Sequence, residues 1–191
     1  MELLRVLYPG NIRDIAFAMS RDGGRTFAAP VRVSEDEWEL EGCPDDGPAM
    51  AIDKQNRIHI VWPTLVTEAT AEHAESAENT VSRRAQRAPR LNAPEPTIAL
   101  FYASSTDGRR FTARERIPTG GMPHHPQIAI ASDGSLVMAW DELAKGTRRA
   151  AYARASLDRT GRPTFTRTIV SGDEPALYSV VAATPDATIA A

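Results

Sequence analysis

Several polar residues of this chain stand in pairs that could carry out acid–base chemistry. Asp141 and Glu142 follow the apolar segment that ends at Trp140, and two neighbouring carboxylates can act as general acid and base on a glycosidic bond. His124 and His125 are adjacent and could contact a ligand or transfer a proton, because histidine titrates near neutral pH. A polar loop start is the commoner explanation for the carboxylates, and lining without chemistry is the commoner one for the histidines.

A metal site is a weaker interpretation of these residues. Adjacent histidines need remote ligands, such as Asp46 or Asp141, to complete a coordination sphere, and we expect no metal and no cofactor. Residues 35–46 are acidic and contain Trp38, Asp45 and Asp46. An exposed Trp38 could act as a stacking platform for a sugar, although a solvated loop with Trp38 packed on a neighbouring unit is the commoner explanation.

Composition limits the class of protein. The chain has 191 residues, a formal net charge of −3 and one cysteine, Cys43. The charge gives no bulk attraction to nucleic acid or an anionic membrane, and one cysteine excludes an intrachain disulfide. No apolar run approaches the roughly 18 residues of a membrane-spanning helix. The 14 prolines and 12 glycines separate short apolar runs, which is typical of an all-β chain.

The chain repeats a unit of about 50 residues. Residues 47–62 align without gaps with residues 125–140, and residues 178–191 form a third copy. Each copy is an apolar run, a tight turn and an alternating strand, and Asp133-Gly134 is the clearest hairpin turn. Each copy supplies two strands, and the segment that follows the copy supplies two more. The repeat therefore predicts a unit of four consecutive antiparallel strands.

One insertion, over residues 67–92, interrupts the repeat between the second and third strands of a unit and is rich in Ala, Glu and Arg. A solvated helix or mobile loop is the commoner expectation for such a charge run, and a lid over a binding face is the alternative. We predict no nucleic-acid partner, because no aromatic residue is interleaved for base stacking. Apart from this insertion, residues 1–191 are expected to form one domain.

A turn motif accompanies the repeats. Residues 20–27 have the sequence Ser-Arg-Asp-Gly-Gly-Arg-Thr-Phe. Residues 105–111 form a second copy that is one residue shorter, and residues 156–165 form a degenerate third copy. The aspartate can accept hydrogen bonds from its own turn, the glycines permit positive φ, and the phenylalanine can pack beneath the hairpin. A calcium loop is disfavoured because further carboxylates are missing. The residues assigned to this structural turn are Ser20, Asp22, Gly23, Gly24, Phe27, Ser105, Asp107, Gly108 and Phe111.

The pattern Ser-x-Asp-Gly-Gly-x-Thr-Phe resembles the Asp-box, or BNR repeat, of sialidase-like β-propellers. The resemblance implies an all-β fold with about three to four four-stranded antiparallel blades of a six-bladed propeller. In that family the Asp-boxes lie on the bottom face, and the ligand site lies on the opposite, top face. The resemblance therefore implies a carbohydrate-directed protein. It is either a glycoside hydrolase of the exo-α-sialidase type or a non-catalytic module that binds a glycan or a protein.

The resemblance also implies site residues on the top face. Sialidases use a tyrosine nucleophile with a glutamate partner, and Tyr178-Ser179 resembles their Tyr-Ser pair, which makes Tyr178, Glu174 and Asp141 the catalytic candidates. The repeat alone would also place some residue at that position. The ligand-binding candidates are Arg13, expected in a loop, together with Trp38, Asp45, Asp46, His124, His125 and Glu142.

The repeat begins and ends within a unit. We therefore expect a fragment of a longer propeller, whose open sheet edges allow pairing with another chain. The N-terminus lacks the pattern of a signal peptide. Relatives of the kind implied are often exported, so a signal peptide is expected upstream if this protein is exported as well.

Overall fold

The computed structural model describes residues 2–39, 46–66 and 96–190, and these residues are all-β, without a helix. They form four antiparallel sheets. The first sheet contains β1 (Glu2–Tyr8), β2 (Ile12–Ala18), β3 (Val31–Arg32) and β4 (Trp38–Glu39). The second contains β5 (Ala49–Ile52), β6 (Ile58–Val66), β7 (Thr97–Ser105) and β8 (Glu115–Ile117). The third contains β9 (Met122–Ile130), β10 (Leu136–Ala144), β11 (Thr147–Leu157) and β12 (Pro163–Ile169), and the fourth contains β13 (Val181–Ala183) and β14 (Thr188–Ala190).

The second and third sheets are meanders in which each strand pairs with the next one in the sequence. The all-β prediction is therefore confirmed, and so is the unit of four consecutive antiparallel strands in these two sheets. The first sheet differs, because both β3 and β4 pair with β2. The predicted insertion over residues 67–92 lies outside the described residues.

Strand alternation gives the second sheet two apolar faces, because successive side chains point to opposite sides. Trp62 in β6 packs with Phe17 of the first sheet. Its neighbour Val61 packs on the other face, in a cluster that includes Trp140 of the third sheet. The second sheet therefore lies between the first and the third.

Asp22 and Asp107 organise the first two turns as predicted. Oδ1 of Asp22 accepts the Thr26 N–H at 3.0 Å and Oδ2 accepts the Thr26 hydroxyl at 2.7 Å. These hydrogen bonds, led by the Thr26 N–H, hold the pKa of Asp22 below its ordinary value. Oδ1 of Asp107 accepts the N–H groups of Arg109 and Arg110 at 2.8 and 3.0 Å. The degenerate copy forms a similar turn, in which Asp158 Oδ1 accepts the N–H groups of Thr160 and Arg162 at 2.8 and 3.0 Å.

The phenylalanines of the three turns pack unequally. Phe111 meets Phe17 of the first sheet edge-on, with 5.7 Å between ring centroids. Phe165 meets Tyr102 of the second sheet at 6.0 Å. Phe27 is 42% exposed, so the expected packing beneath its hairpin is wrong for this residue.

The turns lie at a common end of the sheets, and the second and third turns each contact the sheet that precedes them. A Cβ on Gly108 would lie 3.0 Å from Cε of Met19, and a Cβ on Gly161 would lie 2.5 Å from Nη1 of Arg57. We call this end the turn end and the other the opposite end. No helix in the described ranges is both long enough and apolar enough to cross a membrane.

Candidate functional site

A group of ionisable and aromatic side chains meets at the opposite end of the sheets. Its members, which we call the His–Asp cluster, are Asp46, His124, His125, Asp141 and Tyr178. Asp46 precedes β5, the histidines belong to β9, Asp141 belongs to β10, and Tyr178 precedes β13. All five were candidates on sequence alone, and the structure links them through a continuous series of contacts.

The repeat places two of these residues in the same unusual backbone conformation. His125 and Tyr178 occupy equivalent positions in consecutive repeats, and their φ angles are 51° and 55°. Such a conformation is uncommon for residues other than glycine and costs on the order of 1–3 kcal/mol. Contacts around both residues must therefore hold them in place.

A β-bulge accompanies the positive φ of His125. The register of β9 and β10 shifts between the pair Ala139–Gln127 and the pair Asp141–His124. One extra residue on β9 bends the strand and redirects its side chains. The bulge thus explains how adjacent residues can both reach carboxylates.

Asp46 binds both histidines. Its Oδ2 lies 2.6 Å from Nδ1 of His124, and its Oδ1 accepts the His125 N–H at 3.0 Å. Burial raises the pKa of the Asp46 carboxyl, but the hydrogen bonds from His124 and from the His125 N–H lower it more, so the net change is downward. Asp46 is therefore ionised at neutral pH and orients the histidine pair.

Asp141 is fully buried and connects three segments. Its Oδ1 lies 2.8 Å from Nδ1 of His125 and accepts the Tyr178 N–H at 3.1 Å. Its Oδ2 accepts a hydrogen bond from Nη1 of Arg148 at 2.9 Å. A buried carboxylate requires such partners, and both of its oxygens are occupied.

Tyr178 is the exposed member of the cluster. Its ring lies 4.2 Å from the His125 ring, centroid to centroid, with 36° between the planes. Even so, the residue is 65% exposed. His125 supports one side of the ring and Asp141 fixes the backbone, so the aromatic surface is held in place while much of it faces solvent.

Glu142 is buried and makes contacts that stabilise the third sheet. Its Oε2 accepts the Gly120 N–H at 3.0 Å and the Trp140 indole N–H at 3.1 Å. Arg167 forms an ion pair with its other oxygen. These contacts hold the carboxylate inside the third sheet, so the structure does not present Glu142 to a ligand.

Three other candidates have environments of their own. Trp38 lies in β4 and is 9% exposed, so the expected exposed stacking platform is wrong. Arg13 lies in β2 rather than in a loop. Glu174 is exposed, and its N–H donates to the Ser171 carbonyl at 3.2 Å. Asp45 lies outside the described residues.

Arg148 is the partner that the sequence analysis missed. The β10–β11 register places Asp141 opposite Ala150, two residues from Arg148. Residues two apart share a face of a strand, so the pairing of Asp141 with Arg148 follows once the hairpin register is known. Without that register, Arg148 is one of many arginines.

A second buried histidine contrasts with the cluster. Nδ1 of His59 lies 2.8 Å from the Tyr102 hydroxyl, and Nε2 lies 3.2 Å from Oδ2 of Asp53. Burial lowers the pKa of His59 and raises the pKa of Tyr102. Burial therefore favours the neutral forms of both side chains, and the network is part of the core.

The cluster has the composition of a polar binding site. Among the described residues, no group of three or more His, Cys, Asp or Glu side chains is arranged to hold a metal ion. Comparison with models of protein families finds no match, and comparison with curated proteins finds none either. The chemistry of the site must therefore be argued from its geometry.

Proposed function

We propose that this chain is part of a sialidase-like Asp-box β-propeller and that its opposite end binds a carbohydrate at the His–Asp cluster. The repeated four-stranded units and their aspartate turns support the first part, because a propeller is built from such repeats. The arrangement around Tyr178 supports the second part.

Tyr178 is the observation that carries the proposal. Its ring is exposed and is supported on one side by His125. Its backbone is strained, and the Asp141 carboxylate holds it by accepting the Tyr178 N–H. Strained residues persist where the surrounding structure determines them, and they concentrate at ligand sites. A fixed aromatic ring with a polar edge offers an apolar surface to the C–H face of a sugar and a hydroxyl to its polar groups.

Polar groups beside Tyr178 suit an acidic sugar. The Arg148 side chain is 31% exposed, and its guanidinium has five N–H donors, of which one binds Asp141. Donors that remain can bind a sugar carboxylate, and a guanidinium matches carboxylate geometry. The His124 side chain is 14% exposed, and its ring adds a nitrogen that can bind a hydroxyl. We therefore place a sialylated glycan first among the ligands.

Hydrolysis is the second candidate function, with Tyr178 as nucleophile, Glu174 as its partner and Asp141 as acid–base. The strained backbone of Tyr178 favours it, because activated residues often carry strain. Binding without turnover ranks higher because Asp141 is fully buried with both oxygens occupied. The alternative ligand is a protein. In that case the chain would be part of a non-catalytic module that binds its partner at the same end.

Calorimetric titration with sialylated and neutral oligosaccharides tests the proposal. We expect saturable binding of the sialylated glycan by the 191-residue chain and a loss of about ten-fold in affinity for Tyr178→Ala, equivalent to about 1.4 kcal/mol. The control is Phe27→Ala, which removes an exposed aromatic ring at the turn end and should bind like the unaltered chain. Equal loss in both variants, or no glycan binding at all, would contradict the proposal.

A fluorogenic sialoside separates the two functions. Binding without turnover supports the module. Turnover that Tyr178→Phe abolishes while glycan affinity is retained would instead support hydrolysis with Tyr178 as the nucleophile.

A further inference from the structure

A second concave site lies at the turn end, away from the His–Asp cluster. It is a cavity of about 560 Å³ between the first and second turns. Phe17, Met19, Phe27 and Val31 contribute apolar lining, and Arg21 and Arg109 contribute guanidinium groups. Small-molecule sites are concave, largely apolar, and of about 300–1,000 Å³, so the size suits a single small molecule.

Phe27, one of the lining residues, does not pack as its counterparts do. Phe111 and Phe165 each cover an aromatic residue of a neighbouring sheet. Phe27 is instead 42% exposed and forms a wall of the cavity. Phe17 at the base is fully buried, so the cavity runs from an exposed aromatic ring to the core.

The charge at the cavity is positive. The two turns carry four arginines and two aspartates, Arg21, Arg25, Arg109 and Arg110 against Asp22 and Asp107, a formal net charge of +2. Asp107 is the acid in the lining, and its Oδ1 already accepts hydrogen bonds from two backbone N–H groups and approaches the Ser105 hydroxyl at 3.1 Å.

The guanidinium groups are available to a ligand. Arg21 and Arg109 make no direct ion pair with any residue that the structure describes. The oxygens of Asp22 bind Ser20, Arg25 and Thr26 within its own turn, and Asp22 makes no direct ion pair with either guanidinium. Arg109 attracts Asp107 electrostatically, but the lining holds two guanidinium groups and one carboxylate. A cavity with apolar walls and an excess of guanidinium groups is complementary to a molecule with an apolar body and one anionic group.

We propose that the turn-end cavity binds a small amphipathic anion, an aromatic or aliphatic carboxylate or sulfonate. The apolar body lies between Phe27 and Met19, over Phe17, and the anionic group binds Arg21 and Arg109. This site is separate from the carbohydrate site and does not depend on it.

Two fluorescent probes test the two halves of the proposal. One is 1-anilinonaphthalene-8-sulfonate, an aromatic sulfonate, and the other is N-phenyl-1-naphthylamine, its neutral counterpart. We expect saturable binding of the sulfonate and weaker binding of the amine. The double variant Arg21→Gln/Arg109→Gln should weaken sulfonate binding about ten-fold, because charged hydrogen bonds are the strong ones, and should leave amine binding within about two-fold.

Two further variants locate the probes. Phe27→Ala should weaken both, since it removes the apolar wall, whereas Leu177→Ala at the opposite end should weaken neither. Circular dichroism and urea unfolding show whether each variant is folded. Sulfonate binding that is unchanged in the arginine double variant would overturn the proposal. So would probe binding that Leu177→Ala abolishes, because Leu177 is 56% exposed and would then mark the true apolar site.

Discussion

The two ends of the sheets use aspartate in opposite ways. At the turn end, Asp22 is exposed and accepts hydrogen bonds from residues at most four positions away. At the opposite end, Asp46 and Asp141 are buried, and they bind backbone N–H groups 79 and 37 positions away. One kind of carboxylate shapes a hairpin, and the other connects segments that only the folded chain brings together.

This difference separates residues that shape a turn from residues that we propose to bind a ligand. A local turn can form before the sheets pack, and its aspartate is satisfied whatever lies nearby. The His–Asp cluster exists only once the second sheet, the third sheet and the segment before β13 have assembled. Its strained and exposed residue, Tyr178, depends on those distant contacts, and for this reason we place the ligand there.

The largest effect is expected from Asp141→Ala. The substitution removes the buried acceptor of the Arg148 guanidinium and the Tyr178 N–H and leaves Nδ1 of His125 without its partner, and removing one member of a buried charged pair costs about 3–5 kcal/mol. Urea unfolding measures the loss. Asp173→Ala is the matched control: Asp173 pairs with Arg149 at 3.0 Å but is 95% exposed, and exposed pairs contribute about 0–1 kcal/mol. Similar losses for the two variants would show that the burial of Asp141 adds nothing to the contribution of its contacts to stability.

The second-largest effect is expected from acidification, which should weaken the contacts of Asp46. The pKa of Asp46 is lower in the folded chain than the ordinary 3.8, so its contribution to stability is complete above that value and is lost as the pH falls through the folded pKa. The stability difference between the unaltered chain and Asp46→Asn should therefore shrink between pH 5 and pH 2. A difference that stays constant or grows on acidification would show that Asp46 is not stabilised as a carboxylate.

A smaller and local effect is expected from Asp22→Asn at the turn end. The amide retains an oxygen for the turn N–H groups but loses the charge and one acceptor, the oxygen that binds the Thr26 hydroxyl. We expect faster amide exchange over residues 24–26 with little change in global unfolding. The control is Asp133→Asn, in another exposed turn, where exchange at residues 24–26 should be unaltered. A global loss as large as that of Asp141→Ala would contradict the local account.

The same distinction explains what sequence reasoning could predict. Alternation and turn residues are local, so the strands of the second and third sheets and the roles of Asp22 and Asp107 followed from sequence. His125 was a candidate because it adjoins His124, and Tyr178 because Tyr178-Ser179 resembles the Tyr-Ser pair of sialidases. These predictions needed no knowledge of which sheet packs on which.

The errors concern residues whose partners are distant. Trp38 is buried because β4 adds to β2, a pairing outside the four-strand repeat. Glu142 is drawn inward by Arg167 of β12, 25 positions away, and also bonds its near neighbour Trp140. Neither the β4 pairing nor the Arg167 ion pair follows from local pattern, because each depends on the pairing of segments distant in the sequence.

The central claim, a carbohydrate site at the His–Asp cluster, is tested most directly by the histidine ring signals in an NMR titration with a sialylated oligosaccharide. His124 and His125 lie at the site, whereas His59 is buried against Tyr102 and Asp53 and serves as an internal reference. We predict saturable shifts of the His124 and His125 signals with the His59 signal unmoved, and assignment by His124→Gln and His125→Gln. Unchanged His124 and His125 signals at saturating glycan, or a shift confined to His59, would contradict the account.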